Sequence, residues 1–258
     1  MRALCTIAYR EWRSMFLSPL AWTLLAVLFA IAAYMFNAAV INYQLRLMQF
    51  QSYGGMGGGG EISLTEWTVA PMLGNAAVLM LLLMPLLTMR LIAEEKRQDT
   101  WPALASSPLS PMTIIGGKYL GLLLFLLVTV AMLGIMPLTL YFFGSPDTGQ
   151  IVAGLLGLFL VTAAFGAIGL AASSATDSPI VAAFITFGVL LSLWIVAWMG
   201  DSAGSEVGKI LTWVSLLNHY ENFLTGVISS ADLAYFLLLS SFGLVFARQR
   251  MVAERIRG

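Results

Sequence analysis

The sequence predicts an all-α integral membrane protein with six transmembrane helices and with both termini in the cytoplasm. Three observations predict it: the composition, a series of apolar runs and the distribution of basic residues. The chain is 59% hydrophobic and only 10% charged, whereas soluble domains carry about 25% charged residues. A chain so poor in charge is typical of a protein embedded in a bilayer.

Six apolar runs are long enough to cross a hydrocarbon core, which takes about 20 residues. They are Leu20–Val40, Val69–Ile92, Ile114–Phe143, Ile151–Ser173, Ile180–Met199 and Leu233–Ala247. The third run is long enough to tilt or to include a short flanking helix. Pro85 and Pro137 lie inside the second and third runs, where a proline frees a backbone carbonyl and bends a helix. A fixed helix shape is the simpler interpretation of both prolines, and a hinge for gating is the alternative.

The basic residues predict the orientation, because Lys and Arg accumulate in cytoplasmic loops. If the N-terminus is cytoplasmic, six spans leave only Arg46 and Lys209 outside, out of 13 basic residues. Both termini then lie in the cytoplasm. In a bacterium this corresponds to a multi-pass protein of the inner (plasma) membrane.

Residues 1–18 have the pattern of an amphipathic helix that lies in the membrane interface. Its apolar side is predicted to comprise Cys5, Tyr9, Trp12 and Phe16, and its polar side Arg2, Thr6, Arg10 and Arg13. The helix is expected to end at Ser18-Pro19, because the residue before a proline is disfavoured in the helical conformation. A simple topology anchor is a compatible interpretation of the same segment.

The fourth run is rich in small residues, which allow helices to approach closely in lipid. We therefore expect it to be buried against other spans, in the same chain or in a second copy. The small residues are Gly154, Gly157, Ala163, Ala164, Gly166, Ala167, Gly169 and Ala171.

Several function classes are disfavoured. The runs contain almost no ionisable residue, whereas coupled carriers usually keep such residues along their path. The glycine tract at 53–60 is not followed by Gly-Lys-Ser/Thr, so it predicts a flexible linker and no phosphate loop. The single cysteine, Cys5, excludes an intrachain disulfide and a multi-cysteine metal site. We expect no metal site, no cofactor in this chain and no nucleic-acid partner, and any work requires an external energy source.

The segment at 200–231 is predicted to form short helices at the extracytoplasmic interface before the sixth span. Within it, Gly200–Gly204 matches the G-x-S-x-G pattern, and the single histidine, His219, follows. A Ser202–His219 dyad would indicate an intramembrane serine protease. The hydrolase motif requires a strand-to-helix turn, whereas Asp, Ser and Gly are ordinary loop residues, so a loop is the simpler interpretation.

The most informative stretch is Glu94–Lys118, a polar and charged interruption between the second and third runs. Its first residues, Glu94 to Asp99, are predicted to continue the helix of the second span into the cytoplasm. Thr100–Leu104 is predicted to form one or two helical turns, which end at the Ser-Pro pairs of 106–111. From composition alone, a solvated connector and a docking site for a soluble partner are equally good interpretations.

Three stretches resemble a known family. Glu94–Lys118 (EEKRQDTWPALASSPLSPMTIIGGK) is similar to the charged, Gly-Thr-x-Glu-x-Leu, Ser-Pro and Gly-Lys pattern of ABC-2-type transporter permeases. Tyr9–Trp22 (YREWRSMFLSPLAW) and Leu217–Ile228 (LNHYENFLTGVI), with Asp232–Phe236, resemble the gliding-motility (GldF-like) branch. The chain departs from the pattern at 99–102, where Asp-Thr-Trp-Pro replaces Gly-Thr-x-Glu.

The resemblance implies a single ABC-2-type transmembrane domain over residues 1–258, without catalytic activity of its own. Two such subunits would pair, as identical or homologous copies, and each would dock a cytoplasmic ABC ATPase that binds ATP and Mg²⁺. The loop at 94–111 would be the cytoplasmic coupling helix. Its expected docking residues are Glu94, Glu95, Lys96, Arg97, Asp99, Thr100, Trp101, Leu104, Ser107, Pro108 and Ser110.

The resemblance also implies a second contact with the ATPase through Arg10, Glu11 and Arg13. The segment that contains His219, Tyr220, Glu221, Asn222 and Gly226 would cap the extracytoplasmic side. An auxiliary protein with an extracytoplasmic domain is expected beside the permease. A second hypothesis is a mechanotransmission or scaffold subunit, in which ATP hydrolysis moves that auxiliary protein and no substrate crosses.

Overall fold

The structure, a computed structural model, describes residues 2–52, 63–100, 109–202 and 213–257. These residues form helices joined by short connections, and none of them lies in a strand. Six of the described helices are long and apolar enough to cross a membrane. The predicted all-α membrane class is therefore confirmed.

The helices follow one another in chain order. They are α1 (Arg2–Leu17), α2 (Pro19–Ser52), α3 (Leu64–Thr88), α4 (Ala93–Arg97), α5 (Pro111–Leu133), α6 (Ile135–Leu138), a 3-10 helix (Thr139–Phe142), α7 (Thr148–Ser174), α8 (Pro179–Ser202), α9 (Leu216–Leu224) and α10 (Ser230–Arg257). The membrane-length helices are α2, α3, α5, α7, α8 and α10, and α5 is extended by α6 and the 3-10 helix. Each predicted apolar run corresponds to one of them.

The bundle has two distinct ends. We call the end that carries α1, α4 and the last turns of α7 and α10 the basal end. We call the end that carries α9 and the connection before α7 the distal end. The predicted amphipathic segment is helical as α1, and a short helix, α9, precedes the last span as expected.

The prolines occupy different settings. Pro85 is buried within α3, which also contains Pro71. Pro137 lies in α6, which continues the third span beyond the end of α5, so the prediction that it lies inside this span is confirmed. A proline removes the hydrogen bond to the carbonyl four residues earlier. For Pro137 that carbonyl belongs to Leu133, which is the last residue of α5. Of the two alternatives for the long third run, a tilt or a short flanking helix, the structure shows short helical segments at its end, α6 and the 3-10 helix.

Helix α7 is the centre of the bundle and packs against α3, α5, α8, α9 and α10. The burial predicted from its small residues is confirmed, since nearly all of them are buried. A Cβ atom on Gly169 would lie 2.1 Å from Thr88 Oγ1, and one on Gly157 would lie 2.5 Å from Phe223 Cβ. Larger side chains would therefore separate α7 from α3 and α9.

Helix α1 packs along α5. Its side toward the bundle comprises the buried Ala8 and the half-buried Leu4, Ile7, Glu11, Trp12 and Met15, whereas Cys5 and Tyr9 are exposed. The predicted placement of Cys5, Tyr9, Trp12 and Phe16 on a side that faces the membrane stays a prediction. Glycines of α5 decide the contact: a Cβ on Gly117 would lie 2.8 Å from Ile7, and one on Gly121 would lie 2.8 Å from the Ala8 carbonyl oxygen.

Candidate coupling site

Lys118 connects three elements at the basal end. Its ammonium Nζ lies 2.9 Å from Glu11 Oε1 of α1 and 2.8 Å from Glu95 Oε1 of α4, while Lys118 itself belongs to α5. The Lys118 side chain is only 1% exposed. A buried ammonium requires paired carboxylates, so the position of Lys118 depends on α1 and α4 together.

Arg10 adds a second cation to the same carboxylates. Its guanidinium lies 3.0 Å from Glu11 Oε1 and 3.4 Å from Glu95 Oε1. Burial by itself would raise the pKa of Glu11, but Lys118 and Arg10 outweigh burial and hold that pKa below its ordinary value. Glu11 is therefore an ionised carboxylate at neutral pH. The hydrogen bond to Glu11 in turn raises the pKa of Arg10.

The chain between α3 and α4 is not helical over 89–92, so the prediction that the second span continues directly into the charged segment is wrong. Ser173 of α7 explains the interruption. Its hydroxyl accepts hydrogen bonds from the backbone N–H groups of Ile92 at 3.1 Å and Ala93 at 3.0 Å, and it donates to the Met89 carbonyl at 3.1 Å. One side chain thus satisfies backbone groups that a break in a helix leaves without partners.

Lys96 connects α4 to the opposite side of the bundle. Its Nζ donates to the Ser174 carbonyl at 2.8 Å and forms ion pairs with Glu254 and, at 3.6 Å, with Asp177. Its side chain is 5% exposed. The Ser174 carbonyl ends α7, where carbonyls lack helical partners and the helix dipole favours a cation. Helix α4 is therefore held between α1 and α5 through Glu95, and α7 and α10 through Lys96.

The solvent-facing side of α4 carries the remaining charges. Glu94 Oε1 lies 2.7 Å from Arg97 and accepts a hydrogen bond from Gln98 at 2.7 Å. After α4, Asp99 has a positive φ of 54°, and Thr100 donates from its hydroxyl to the Glu95 carbonyl at 3.1 Å. A left-handed residue after a helix is usually glycine, which is the residue that the ABC-2 pattern has at this position.

The other expected docking residues are placed as follows. Ser110 is the N-cap residue of α5, and its hydroxyl accepts a hydrogen bond from Thr113 N at 3.1 Å. Arg13 is exposed on α1 and takes no part in the ion-pair cluster. Trp101, Leu104, Ser107 and Pro108 lie outside the described residues.

A second polar cluster lies at the distal end. His219 Nδ1 lies 2.5 Å from Asp232 Oδ1, and its Nε2 lies 2.9 Å from the Trp213 carbonyl oxygen. Asn222 donates to Asp232 Oδ2 at 2.9 Å, and the Tyr235 ring stacks on His219 with a centroid distance of 4.1 Å. The cluster joins α9 to the start of α10. Both ring nitrogens of His219 are engaged, and Ser202 is the last residue of α8.

Tyr220 and Gly226 fix α9 against the bundle, and Glu221 lies between His219 and Asn222 on the same helix. The Tyr220 hydroxyl donates to the Leu73 carbonyl of α3 at 2.9 Å, and burial raises the pKa of Tyr220. Gly226 follows the helix with φ +86°, and Val227 N donates to the Asn222 carbonyl at 2.9 Å. This is the Schellman ending, in which glycine avoids the steric cost of the left-handed conformation.

Comparison with known families decides the class of the protein. The model of the ABC-2 family transporter protein matches residues 38–247. The chain belongs to the ABC-2 transporter family. A search of curated protein sequences gives no match.

ABC-2 membrane domains in general associate with an ABC ATPase, which supplies the enzymatic activity. In this ABC-2 protein the family match covers α4 and Lys118, whereas α1 precedes it. Glu11 and Arg10 therefore lie outside the matched region and still complete the ion-pair cluster inside it.

Sequence reasoning missed several residues of the site in this ABC-2 protein. Lys118, Ser173, Asp177, Asp232 and Glu254 were not among the expected site residues. Lys118 carried a signal, because a lone lysine after two glycines in an apolar run needs a carboxylate partner. Ser173 gave no such signal in the sequence, since a serine near a helix end is common.

Proposed function

We propose that this chain is the membrane-spanning permease subunit of an exporter-like ABC-2 transporter, energised by a separate cytoplasmic ATPase. The ATPase docks on the loop at 94–111, with α1 as the second contact, and ATP and Mg²⁺ bind in the ATPase. The basal end is then the cytoplasmic side of a bacterial inner membrane. The distal segment with His219, Tyr220, Glu221, Asn222 and Gly226 caps the outer side.

The observation that carries this proposal is the placement of α4. Glu95 and Lys96 are neighbours in sequence, and their side chains bind different parts of the bundle. Glu95 binds Lys118 of α5, and Lys96 binds the ends of α7 and α10. A displacement of α4 by a docked ATPase would therefore be transmitted to three spans at once.

The finer assembly follows from the sequence resemblance to the gliding-motility (GldF-like) branch. Two permease subunits pair, each with one ATPase, and an auxiliary protein with an extracytoplasmic domain accompanies them. Pro85, buried in α3 close to the interruption at 89–92, is the candidate hinge for the movement. Pro137 follows the end of α5 and is a candidate hinge at the distal end.

A mechanotransmission subunit is a second candidate, and the buried threonines of the spans favour it. Thr88, Thr129, Thr162 and Thr186 are buried. Each donates its hydroxyl to the carbonyl four residues earlier in its own helix. These hydroxyl groups are satisfied locally, so they do not line a polar path for a substrate. In this case ATP hydrolysis moves the auxiliary protein.

Purification of the tagged full chain from its native membranes in mild detergent tests the proposal. Mass spectrometry should identify an ABC ATPase in the complex, and the complex should hydrolyse ATP. Charge reversal at Glu95 (Glu95→Lys) should reduce the ATPase retained or its activity, because it places a second ammonium group beside that of Lys118. The control is Arg46→Gln, which changes an exposed charge beside Trp67 at the distal end, away from the docking elements.

The result that would overturn the proposal is a chain that retains no ABC ATPase under any mild extraction, with or without ATP. Equal ATPase retention and activity in Glu95→Lys and Arg46→Gln would overturn the role given to α4. Transport and mechanotransmission are separated by reconstitution with the auxiliary protein. Movement of the auxiliary domain without any transported lipid or solute would support mechanotransmission.

A further inference from the structure

The polar groups around His219 at the distal end fix the number of protons that they hold together. We call His219, Asp232, Asn222 and Tyr235 the distal cluster. The Nε2 atom of His219 lies 2.9 Å from the Trp213 carbonyl oxygen, and a carbonyl oxygen only accepts hydrogen bonds. Nε2 therefore carries a hydrogen. The Nδ1 atom lies 2.5 Å from Asp232 Oδ1, a contact too short for two atoms that both lack a hydrogen.

The proton between these two atoms belongs to the imidazole ring. The other oxygen of Asp232 accepts a hydrogen bond from the Asn222 amide at 2.9 Å, so it needs no proton of its own. Imidazole is ordinarily a stronger base than a carboxylate. His219 is then an imidazolium paired with an ionised Asp232. The Tyr235 ring, stacked on His219 at a centroid distance of 4.1 Å, favours this cation through its π face.

A neutral His219 could not keep both contacts. A neutral imidazole carries one hydrogen, so one of its nitrogens would direct a lone pair at an acceptor. That acceptor would be either Asp232 Oδ1 or the Trp213 carbonyl oxygen. The side chains of His219 and Asp232 are only 11% and 4% exposed, so water has little access to replace the lost hydrogen bond. Loss of the proton therefore breaks one contact and leaves a buried polar group unsatisfied.

The same contacts hold the chain that leads into α9. The Tyr235 hydroxyl donates to the Val214 carbonyl at 2.6 Å, so residues 213–214 are bound by both His219 and Tyr235. The other side of α9 is held independently, because the Tyr220 hydroxyl donates to the Leu73 carbonyl of α3. Loss of the proton should therefore loosen residues 213–214 and the contact of α9 with α10, while the bundle stays folded.

The other charged groups of the elements around α9 form no bond with His219 in the part of the chain that the structure describes. Glu221 of α9 and Glu66 of α3 are exposed. Asp147 caps the start of α7. The described side chains of α8 carry no charge, and the charged residues that follow Asp232 on α10 lie near the basal end. The proton balance of the cluster thus depends on His219 and Asp232.

We propose that the distal cluster is a proton-binding site that fastens α9 to α10, so that the distal segment loosens as the pH on its side of the membrane rises. Histidine is the side chain whose charge ordinarily changes within the physiological pH range. The bound proton supplies the hydrogen on Nδ1, and its release leaves a neutral ring beside the Asp232 carboxylate. This response does not depend on ATPase docking, because every group that takes part belongs to this chain.

Magic-angle-spinning NMR of the full chain in liposomes tests the protonation state. His219 is the single histidine, so labelling with ¹⁵N-histidine gives signals from this residue alone. In the wild type at neutral pH, both ring nitrogens should show the chemical shifts of protonated nitrogens, and one should become unprotonated as the pH is raised. In Asp232→Asn one nitrogen should be unprotonated at neutral pH, because the new carboxamide can donate to Nδ1 and a neutral ring then satisfies both partners.

Hydrogen–deuterium exchange measures the loosening, with exchange times scaled to the intrinsic pH dependence of amide exchange. The wild-type amides of residues 214–224 should exchange about tenfold faster at alkaline than at neutral pH, since a hydrogen bond to a charged group contributes about that factor. Asp232→Asn should show no such change. Glu66→Gln removes an exposed carboxylate at the same end and should respond as the wild type does.

An unprotonated ring nitrogen in the wild type at neutral pH would overturn the proposal, and so would wild-type exchange of residues 214–224 that does not change with pH. An equal response in the wild type and in Asp232→Asn would also overturn it, because another group would then be responsible. Loss of the response in Glu66→Gln would have the same meaning.

Discussion

The ammonium group of Lys118 lies 2.9 Å from the carboxylate of Glu11, although the two residues are 107 positions apart in the sequence. Glu11 belongs to a helix that precedes the first span, and Lys118 belongs to the third span. The Lys118 side chain is almost completely buried. Because a buried charge without its partner is costly, this pair fixes the position of α1 on the bundle.

Replacement of Lys118 by methionine should destabilise the protein. The side-chain volume is nearly kept, but Glu11 and Glu95 lose the ammonium that compensates their partial burial. We expect the free energy of unfolding to fall by about 3 kcal/mol. Unfolding followed by tryptophan fluorescence in detergent measures it, with Arg13→Gln as the control. A Lys118→Met variant as stable as that control would contradict the structural role given to Lys118.

Glu11 should make stability depend on pH in the acid range. Its pKa in the folded protein is below the ordinary value of 4.5, so its contribution is complete above that value. The contribution is lost as the pH falls from about 4.5 through the folded pKa. Melting temperatures between pH 7 and pH 3 should show a wild-type advantage over Glu11→Gln that shrinks on acidification. An advantage that grows at low pH would contradict the pairing with Lys118.

Alanine substitutions of Gly169 in α7 and Gly188 in α8 should have different effects on stability. Gly169→Ala places a Cβ atom 2.1 Å from Thr88 Oγ1, whereas a Cβ on Gly188 of α8 meets nothing within 4 Å. We expect Gly169→Ala to lower stability by about 1–3 kcal/mol. Gly188→Ala should be neutral or stabilising, since alanine is the better helix former. Equal melting temperatures of the two variants would contradict the close packing at Gly169.

Asp99 should tolerate glycine better than any β-branched residue. Its φ of 54° lies in the left-handed region, which costs an L-residue about 1–2 kcal/mol and glycine almost nothing. We therefore expect Asp99→Gly to be as stable as the wild type or up to about 1 kcal/mol more stable. Asp99→Val should be less stable. Thermal unfolding of the two variants checks the order, and the reverse order would show that the carboxylate of Asp99 matters more than its backbone.

His219 should not activate a serine nucleophile. Its two ring nitrogens are bound to Asp232 and to the Trp213 carbonyl, so a role as base for Ser202 would require the cluster to break. We expect a fluorophosphonate probe not to label the folded protein. Labelling of the wild type that disappears in Ser202→Ala would restore the protease hypothesis.

Hydrophobic run length and helix punctuation were sufficient to predict the class, the spans, α1 and α9. Burial of the fourth span followed from its small residues, because close helix approach requires them. The sequence did not reveal which face of α1 is buried. Cys5 and Tyr9 share a helical spacing with Trp12 and Phe16, just as Leu4 and Ile7 share one with Ala8 and Glu11, and the choice depends on glycines about 110 positions away on α5. Which face of α1 is buried therefore depends on its contact with α5 and not on the sequence of α1 alone.

The contacts of the charged residues could likewise be predicted only in part from the sequence. Glu95 and Lys96 were expected at the site from the resemblance to the ABC-2 pattern. Their partners were not, because Lys118, Ser174 and Glu254 come from three other helices. The interruption at 89–92 was also missed, since no glycine lies there and proline occurs only earlier, at Pro85. The interruption is stabilised by Ser173 of the neighbouring helix α7, which binds its backbone groups, and not by a glycine or proline within it.

The packing of α1 against Gly117 and Gly121 of α5 has a consequence for the order in which the protein assembles. Helix α1 is synthesised before the spans, but the surface of α5 that receives it exists only after α5 has been made and inserted. During the synthesis of the two preceding spans, the internal contacts of α1 are limited to those with α2, such as the hydrogen bond from Trp22 to the Phe16 carbonyl, and the bilayer surface must accommodate its other aromatic residues and its arginines. Its docking, and with it the burial of Lys118, is therefore an event of the half-finished chain. A nascent chain halted before Gly117 should leave α1 accessible to cross-linking, and one extended past Gly121 should protect it.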